Sequence, residues 1–193
     1  MRSSRLLTRR AVLLAPPALA VAACAPAGSH DPYANTPPLD WMDSRMELRE
    51  RALAAAFVAR VNMERQSRGL VQLIGDRSLS GVCYDHAASV FRSGVFGRTT
   101  PEDRYPYERL PQTVKNRYLQ IGGAQLYKVR KAGGLPSTYL AELGVDGWMG
   151  SQNNRRFLLT PEFNRVGAGV VEGEGDAVVV LLFGQIAKLN YAT

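Results

Sequence analysis

The stretch of sequence that decides the fold is residues 166–183, which read VGAGVVEGEGDAVVVLLF. Residues 166–171 and 177–183 are rich in β-branched and other apolar side chains, and each run has the length of a strand. Residues 172–176 (EGEGD) connect them and have the glycine-rich character of a hairpin with a longer loop. The stretch therefore predicts an antiparallel hairpin late in the chain.

Helical periodicity precedes this hairpin. Residues 44–68 predict a first helix, whose apolar residues recur every four positions: Leu53, Phe57 and Val61. Gly69 is suited to end it, because glycine readily adopts the left-handed conformation of a helix C-terminus. Asp76 is suited to cap a second helix that extends to about Phe91, because its carboxylate can accept hydrogen bonds from the first free backbone N–H groups.

The remaining segments complete the prediction of fold class. Residues 137–149 predict a third helix, whereas residues 97–138 are interrupted by prolines and a Gly122-Gly123 pair and predict only a short helix within 106–118. Helices come first and strands late, without the alternation of strand and helix that builds a parallel sheet. This order predicts an α+β domain with an antiparallel sheet.

Composition excludes several classes of protein. Of the 193 residues, 46% are hydrophobic and 21% charged, as in one soluble globular domain and unlike a disordered chain, a collagen-like repeat or a polytopic membrane protein. The net charge of +7 falls to +3 without residues 1–23, which hold four arginines and no acidic residue. So small a charge gives no support to nucleic-acid binding, and no nucleic-acid partner is expected.

The first 23 residues have the features of an export signal. A basic stretch ending at Arg10 precedes an apolar run, residues 11–23, that is too short to span a bilayer. Residues 21–24 (VAAC) resemble a bacterial lipobox, which makes Cys24 the predicted lipidation site; the alternative is an ordinary signal peptide with a chance cysteine. Residues 8–13 resemble a twin-arginine motif, so the Sec and twin-arginine routes both stay open.

Two further regions follow the signal. Residues 24–43 are rich in Pro, Gly, Ser, Asn and Asp without periodicity, and we interpret them as a lipidated tether. Residues 44–193 form the predicted domain. With Cys24 acylated, Cys83 is the only thiol left, so no internal disulfide is expected.

Three stretches in order resemble a known family. The first is residues 61–65 (VNMER), followed by Gly69, Leu70 and Leu73; the second is residues 147–151 (GWMGS), followed by Arg155; the third combines residues 157–163 (FLLTPEF) and 166–170 (VGAGV). They resemble segments of the bacterial CAP domains, a superfamily that includes the cysteine-rich secretory, antigen 5 and pathogenesis-related proteins. The resemblance covers roughly residues 55–187 and implies a three-layer α-β-α sandwich with a central antiparallel sheet.

The resemblance also implies a cleft whose two histidines and acidic residues can bind zinc. This sequence departs from that pattern at every position that can be placed. Arg98 and Asn154 stand where the family has histidines, and Ala124 and Gln125 stand in its glutamate–asparagine segment. Zinc prefers imidazole, thiolate or carboxylate donors, so a degenerate site with no metal and no cofactor is expected.

The same positions suggest a different kind of site. The resemblance places five polar or charged side chains at the old cleft: Arg98, Gln125, Ser151, Asn154 and Arg155. Their chemistry predicts a polar groove suited to an anion or to an amide-rich ligand.

Two other features have both a functional and a structural interpretation. Cys83 and His86 lie three residues apart on the second predicted helix and could form a nucleophilic dyad, although both fall on its apolar stripe and favour a core position. Residues 104–131 interleave tyrosines with cations. That segment is either a contact surface for an anionic lipid, an acidic glycan or another envelope protein, or an ordinary solvated face.

These expectations combine into one functional hypothesis. The chain is predicted to be a lipid-anchored protein on the periplasmic side of the inner or outer membrane. Its CAP-like domain is expected to have no catalytic residue and to serve as a binding or accessory subunit of an envelope assembly. The alternatives are a hydrolase-type enzyme that uses unrecognised residues, and a lipid-binding carrier.

Overall fold

The computed structural model describes residues 39–95, 97, 105–130, 132 and 134–187 of the chain, all of them within one compact unit, Pro32–Thr193. The α-helices of these residues are α1 (Leu48–Gln66), α2 (Arg77–Ser93), α3 (Gln112–Lys115), α4 (Ser137–Gly150) and α5 (Gln152–Leu158). The strands are β1 (Ile74–Gly75), β2 (Gln120–Val129), β3 (Arg165–Gly173) and β4 (Asp176–Gln185). Short 3-10 turns span Leu39–Trp41 and Pro106–Arg109. The predicted helices and hairpin are confirmed, and β1, β2 and α5 are additions.

The strands form a mixed sheet in the order β1-β3-β4-β2. The predicted hairpin, β3 and β4, is its antiparallel centre, and β2 pairs antiparallel with β4 at one edge. At the other edge the short β1 runs parallel to β3, with Ile74 opposite Arg165. The sheet is thus antiparallel except at this edge, where the connection between α1 and α2 passes beside β3.

Local sequence signals set the ends of the first two helices. The carboxylate of Glu50 accepts a hydrogen bond from the backbone N–H of Glu47 at 2.8 Å, which closes a capping box at the start of α1. Gly69 has a φ of +71°, the left-handed conformation that ends the helix. The carboxylate of Asp76 accepts hydrogen bonds from the N–H groups of Ser78 and Leu79 at 2.9 and 3.2 Å, as the sequence predicted.

Alternation along β4 divides the core into two halves. Three buried side chains of one face pack in the cluster that includes α1 and α4: Val179, Leu181 and Phe183. The intervening residues pack in the cluster that includes α2: Val178, Val180 and Leu182. Because both faces of the sheet are covered by helices, the fold is the expected three-layer α-β-α sandwich of class α+β.

Two positions of the VGAGV stretch require glycine for steric reasons. A Cβ at Gly167 would collide with the backbone of Leu79, and a Cβ at Gly169 would collide with the backbone at Cys83 and Tyr84. The glycines therefore let α2 lie directly on β3, while the alternate residues of the strand pack towards α1.

The core also includes residues that precede the predicted domain boundary at Ser44. Trp41 and Met42 are 7% and 2% exposed and belong to the main hydrophobic cluster. The side chains of Trp41 and Met42 anchor this segment in the core. The end of the predicted tether is therefore part of the folded domain. Residues 24–38, including Cys24, lie outside the described residues. No helix among the described residues is long and apolar enough to cross a membrane.

Candidate functional site

The site is built at the junction of α4 and α5. Ser151 separates the two helices: its N–H donates to the carbonyl of Trp148 at 3.1 Å, and its own carbonyl accepts from the N–H of Arg155 at 2.8 Å. The indole Nε1–H of Trp148 donates to the carbonyl of Leu126 on β2 at 3.2 Å. The end of α4 and the start of α5 are thereby fixed beside the edge strand.

An irregularity in β2 brings this strand against α5. The register of β2 with β4 shifts between Gly122 and Gln125, and Gly123 has a φ of +71°. A Cβ at Gly123 would lie 2.7 Å from the Cβ of Phe157, so only glycine permits this approach. Asn154, half-buried and three residues before Phe157, lies on the same side of α5.

The loop after α5 is held by a buried arginine. Arg65 of α1 is 0% exposed, and its guanidinium donates four hydrogen bonds of 2.8–2.9 Å to backbone carbonyls. The acceptors are Val71, Leu158, Thr160 and Phe163. One side chain thus ties the end of α1 to the segment that joins α5 and β3. Burial lowers the pKa of this guanidinium.

The opposite face of α5 lines a cavity of about 450 Å³. Four helix-face residues contribute to it: Gln152, Arg155, Arg156 and Leu159. Their spacing of three, four and seven residues puts them on one side of the helix, away from Asn154 and Phe157. The guanidinium of Arg156 lies 5.3 Å from the centroid of the Phe157 ring.

The predicted groove residues are consequently divided. Asn154 lies on the same side of α5 as Phe157, which contacts the irregular part of β2, and Ser151 lies at the junction of α4 and α5. The backbone of Gln125 pairs with that of Leu181. Arg155 is exposed on the other face of α5 and lines the cavity. Arg98 lies outside the described residues.

Comparison with known families agrees with this architecture. The family model of the cysteine-rich secretory protein (CAP) family matches residues 58–183. This chain belongs to the CAP family. The match takes in α2, β2, α4, α5 and most of the hairpin, so the CAP region includes both faces of α5.

Solved structures similar to this CAP domain come from several bacteria. An outer surface protein of Borrelia burgdorferi matches with a TM-score of 0.55 and 16% identity over 67% of this chain and 90% of its own. An extracellular protein with an SCP domain from Bacillus anthracis matches with a TM-score of 0.51 and 21% identity, over 70% of this chain and 41% of its own. At such identities the likeness shows the fold. A comparison with curated protein sequences finds no match.

At the positions that the sequence resemblance assigns to zinc, the residue types are unsuited to the ion. Asn154 offers an amide rather than an imidazole, and Ala124 has no donor atom. Among the described residues, no group of three or more His, Cys, Asp or Glu side chains could hold a metal ion.

Cys83 and His86 occupy the core of the CAP domain. Cys83 is 0% exposed, and burial raises the pKa of its thiol far above the usual range. His86 is 1% exposed, and its Nε2 lies 3.0 Å from the carbonyl oxygen of Gly97. Burial lowers the pKa of this imidazole, helped by the nearby charge of Arg109. A buried protonated thiol is a poor nucleophile, so this geometry does not favour the dyad.

The tyrosines of residues 104–131 are separated by the fold. Tyr105 and Tyr107 stack on each other with ring centroids 5.6 Å apart. Tyr118 is buried against α2, and Tyr127 packs against Phe57 and Trp148 in the other half of the core. Arg104 and Lys131 lie outside the described residues. The described tyrosines are therefore not arranged as one continuous contact surface.

Sequence reasoning identified only part of the cavity face. The sequence predicts Arg155 as a groove residue but does not single out Gln152 or Leu159, which share its side of α5 with Arg156. The spacing of these residues was a usable signal. A seven-residue helix, however, is too short for periodicity to stand out from the polar run around it.

Proposed function

We propose that this CAP domain is a lipid-anchored protein on the periplasmic side of the cell envelope, and that it binds a ligand or partner protein without catalysing a reaction. The leader supports the anchoring part: an apolar run too short for a membrane span precedes a lipobox-like VAAC at residues 21–24. A processed lipoprotein cysteine carries more than one acyl chain, which suffices for stable anchoring.

The observation that carries the binding part is the burial of Cys83 and His86. An acyl-transfer enzyme needs its nucleophile and base within reach of substrate, and these two side chains are 0% and 1% exposed. The family's metal-binding positions lack suitable donors at Asn154 and Ala124. The side chains of Arg155 and Arg156 are exposed at this end of the domain, and their guanidinium groups are suited to binding anions.

The two cysteines of the chain provide a matched test of the anchor. Cells are grown with an alkyne-tagged fatty acid, and its incorporation is compared in Cys24→Ser and Cys83→Ala variants. The proposal predicts that Cys24→Ser loses both the tag and membrane association, whereas Cys83→Ala keeps both. Tagging that survives in Cys24→Ser would show that the anchor has been placed wrongly.

Thiol reactivity tests the non-catalytic part. Cys83 of the folded protein is expected to resist iodoacetamide at pH 8 and to react fully in urea, because its thiol is buried and its pKa is raised. Rapid alkylation of the folded protein, with concomitant loss of a hydrolytic activity, would instead support the enzyme hypothesis.

A further inference from the structure

The outer surface of α1 and α4 carries half of the large apolar side chains that the described part of the domain exposes. Ten such side chains are exposed among the described residues, and five of them lie on this one layer. On α1, Leu48 and Met63 are 79% and 45% exposed. On α4, Tyr139 and Leu143 are 47% and 46% exposed, and Leu135 precedes the helix by two residues. Apolar surface concentrated in this way is typical of a place where another protein binds.

The two helices lie side by side and run parallel. Near the start of both, the guanidinium of Arg49 donates to the carbonyl of Leu135 at 3.3 Å, and further along Arg60 donates to the carboxylate of Asp146 at 2.8 Å. Both bonds join residues that are 86 positions apart in the sequence. Between them, Gly144 packs against a phenylalanine ring of α1, which a Cβ would meet at 2.4 Å. Each residue of α4 therefore lies at the height of the α1 residue about 86 positions before it.

Large and small side chains alternate between the two helices at each height. The middle of the outer face of α1 is small, because Ala52 is exposed there and Ala59 is half-buried. Tyr139, at the height of Ala52, is the large residue of α4. At the far end the order is reversed, since Met63 of α1 lies at the height of Gly150 of α4. A Cβ at Gly150 would meet nothing within 4 Å, so open space lies above it. A second copy whose α4 covers this α1 would thus set large side chains on small ones.

The charges of the layer are complementary to those of a second copy in the same arrangement. The sequence of α4 (STYLAELGVDGWMG) has two acidic residues and no basic one, whereas α1 has four arginines and two glutamates. Between the helices, Arg60 pairs with Asp146, whose side chain is 64% exposed. A second copy with its α4 on this α1 brings another Arg60–Asp146 pair to the same height, so that four charges alternate in sign around the two-fold axis. Such complementarity favours this pairing over α1 on α1 and α4 on α4.

The layer is also large enough for a dimer interface. Helix α1 has 19 residues, and at the rise of an α-helix this makes it about 28 Å long. Two helices side by side are about 20 Å wide, which gives a flat footprint of about 560 Å². Side chains roughen this footprint, so its accessible area is on the order of the 800 Å² that each partner contributes to a standard interface.

We infer that the protein forms a homodimer through the outer surface of α1 and α4. The two-fold axis runs parallel to the helices, and α1 of each copy packs on α4 of the other. Tyr139 of one copy covers the partner's Ala52, and Met63 fills the space above the partner's Gly150. Because each copy contributes the same surface, the contact closes at two copies. The inference goes beyond the proposed function, and it uses neither the lipid anchor nor the arginines of α5.

Sedimentation equilibrium of the full-length protein, purified from membranes in a density-matched detergent, tests the association. The parent protein is expected to show a reversible equilibrium between monomer and dimer. A protein that stays monomeric up to about 100 μM would overturn the inference. A stable trimer or an open series of larger species would do the same, because a two-fold contact closes at two copies.

A matched pair of leucine variants locates the interface. Leu143→Glu adds a carboxylate to the acidic helix and removes apolar contact, and the symmetry counts the change twice. At about tenfold for each copy, the dimer should dissociate roughly 100-fold more readily. Leu119→Glu is the control: this leucine is 68% exposed, lies at the start of β2 outside the layer, and should leave the equilibrium unchanged. Equal weakening by the two variants, or none by Leu143→Glu, would overturn the inference.

Disulfide formation tests the direction of the two-fold axis and needs no change to a charged residue. The full chain with Ala52→Cys and Tyr139→Cys together is oxidised in the membranes of the cells that make it. This double variant is expected to give a reducible covalent dimer on a denaturing gel. The parent chain controls for its own cysteines, and Ala52→Cys with Leu119→Cys, which lies off the layer, should remain monomeric. Absence of the covalent dimer in the first pair, or an equal yield in the second, would overturn the inference.

Discussion

Replacing Arg65 with alanine should be among the most damaging single substitutions outside the apolar core. The variant leaves the carbonyls of Leu158 and Phe163 buried and unpaired, together with the partly buried carbonyls of Val71 and Thr160. Each buried carbonyl that loses its partner costs about 1–3 kcal/mol. Removing a buried cation offsets part of this sum, so the low end applies, and we expect a loss of about 4 kcal/mol.

The assay is urea denaturation followed by circular dichroism, with Arg68→Ala as the matched control. Arg68 lies on the last turn before Gly69 and bonds Glu64 at the surface, where its loss should cost less than about 1 kcal/mol. Arg65→Lys should fall between the two, because an ammonium cannot reproduce the fork of the guanidinium.

Loss of the Arg65 side chain should also destabilise one part of the structure more than the rest. Hydrogen exchange should accelerate most in the segment between α5 and β3, residues 159–164, which Arg65 holds. A destabilisation of Arg65→Ala equal to that of Arg68→Ala would refute the assignment of Arg65 as the clamp of this loop.

Four further substitutions test the packing, the helix cap and the electrostatics. Gly169→Ala should cost about 3 kcal/mol in unfolding experiments, because its Cβ meets the backbone of α2, whereas Gly147→Ala should be neutral or stabilising, because nothing lies within 4 Å of its Cβ. Asp76→Ala should cost about 1 kcal/mol through loss of the cap of α2. For His86, burial lowers the folded-state pKa, so the unfolded chain binds the proton first as the pH falls below 6.5. Acid should therefore lower the free energy of unfolding by at most about 1.4 kcal/mol per pH unit, and His86→Gln should remove this contribution.

Each of these predictions has a contradicting outcome. Equal stability of the two glycine variants would mean that α2 does not contact β3 as closely as described. An Asp76→Ala variant as stable as the parent would show that the cap contributes nothing. If the pH dependence between 5 and 6.5 were the same with and without His86, the imidazole would be accessible to solvent in the folded protein.

The sequence predicted those elements whose signals are local. The hairpin of residues 166–183 followed from two β-branched runs and a glycine-rich connection, and α2 followed from Asp76 and its apolar stripe. Strand β2 is not predicted, because the sequence signal of Gly122 and Gly123 is an interruption of regular structure. In the fold they are part of a strand whose register shifts to admit Phe157. This register shift depends on the contact with Phe157, which is distant in sequence. It therefore cannot be predicted from the sequence of the strand alone.

The site was harder to predict than the fold for similar reasons. Arg65 looks like any helical arginine in the sequence, yet its acceptors Leu158 and Phe163 lie more than 90 residues away. The family resemblance predicts Asn154 and Arg155 in one groove, whereas a helix points neighbours in sequence in different directions.

Native mass spectrometry of the protein, released gently from its own membranes, tests the central claim most directly. The account predicts a polypeptide that begins at an acylated Cys24 and carries no zinc. A bound zinc ion, or a polypeptide that lacks acyl chains at Cys24, would contradict it.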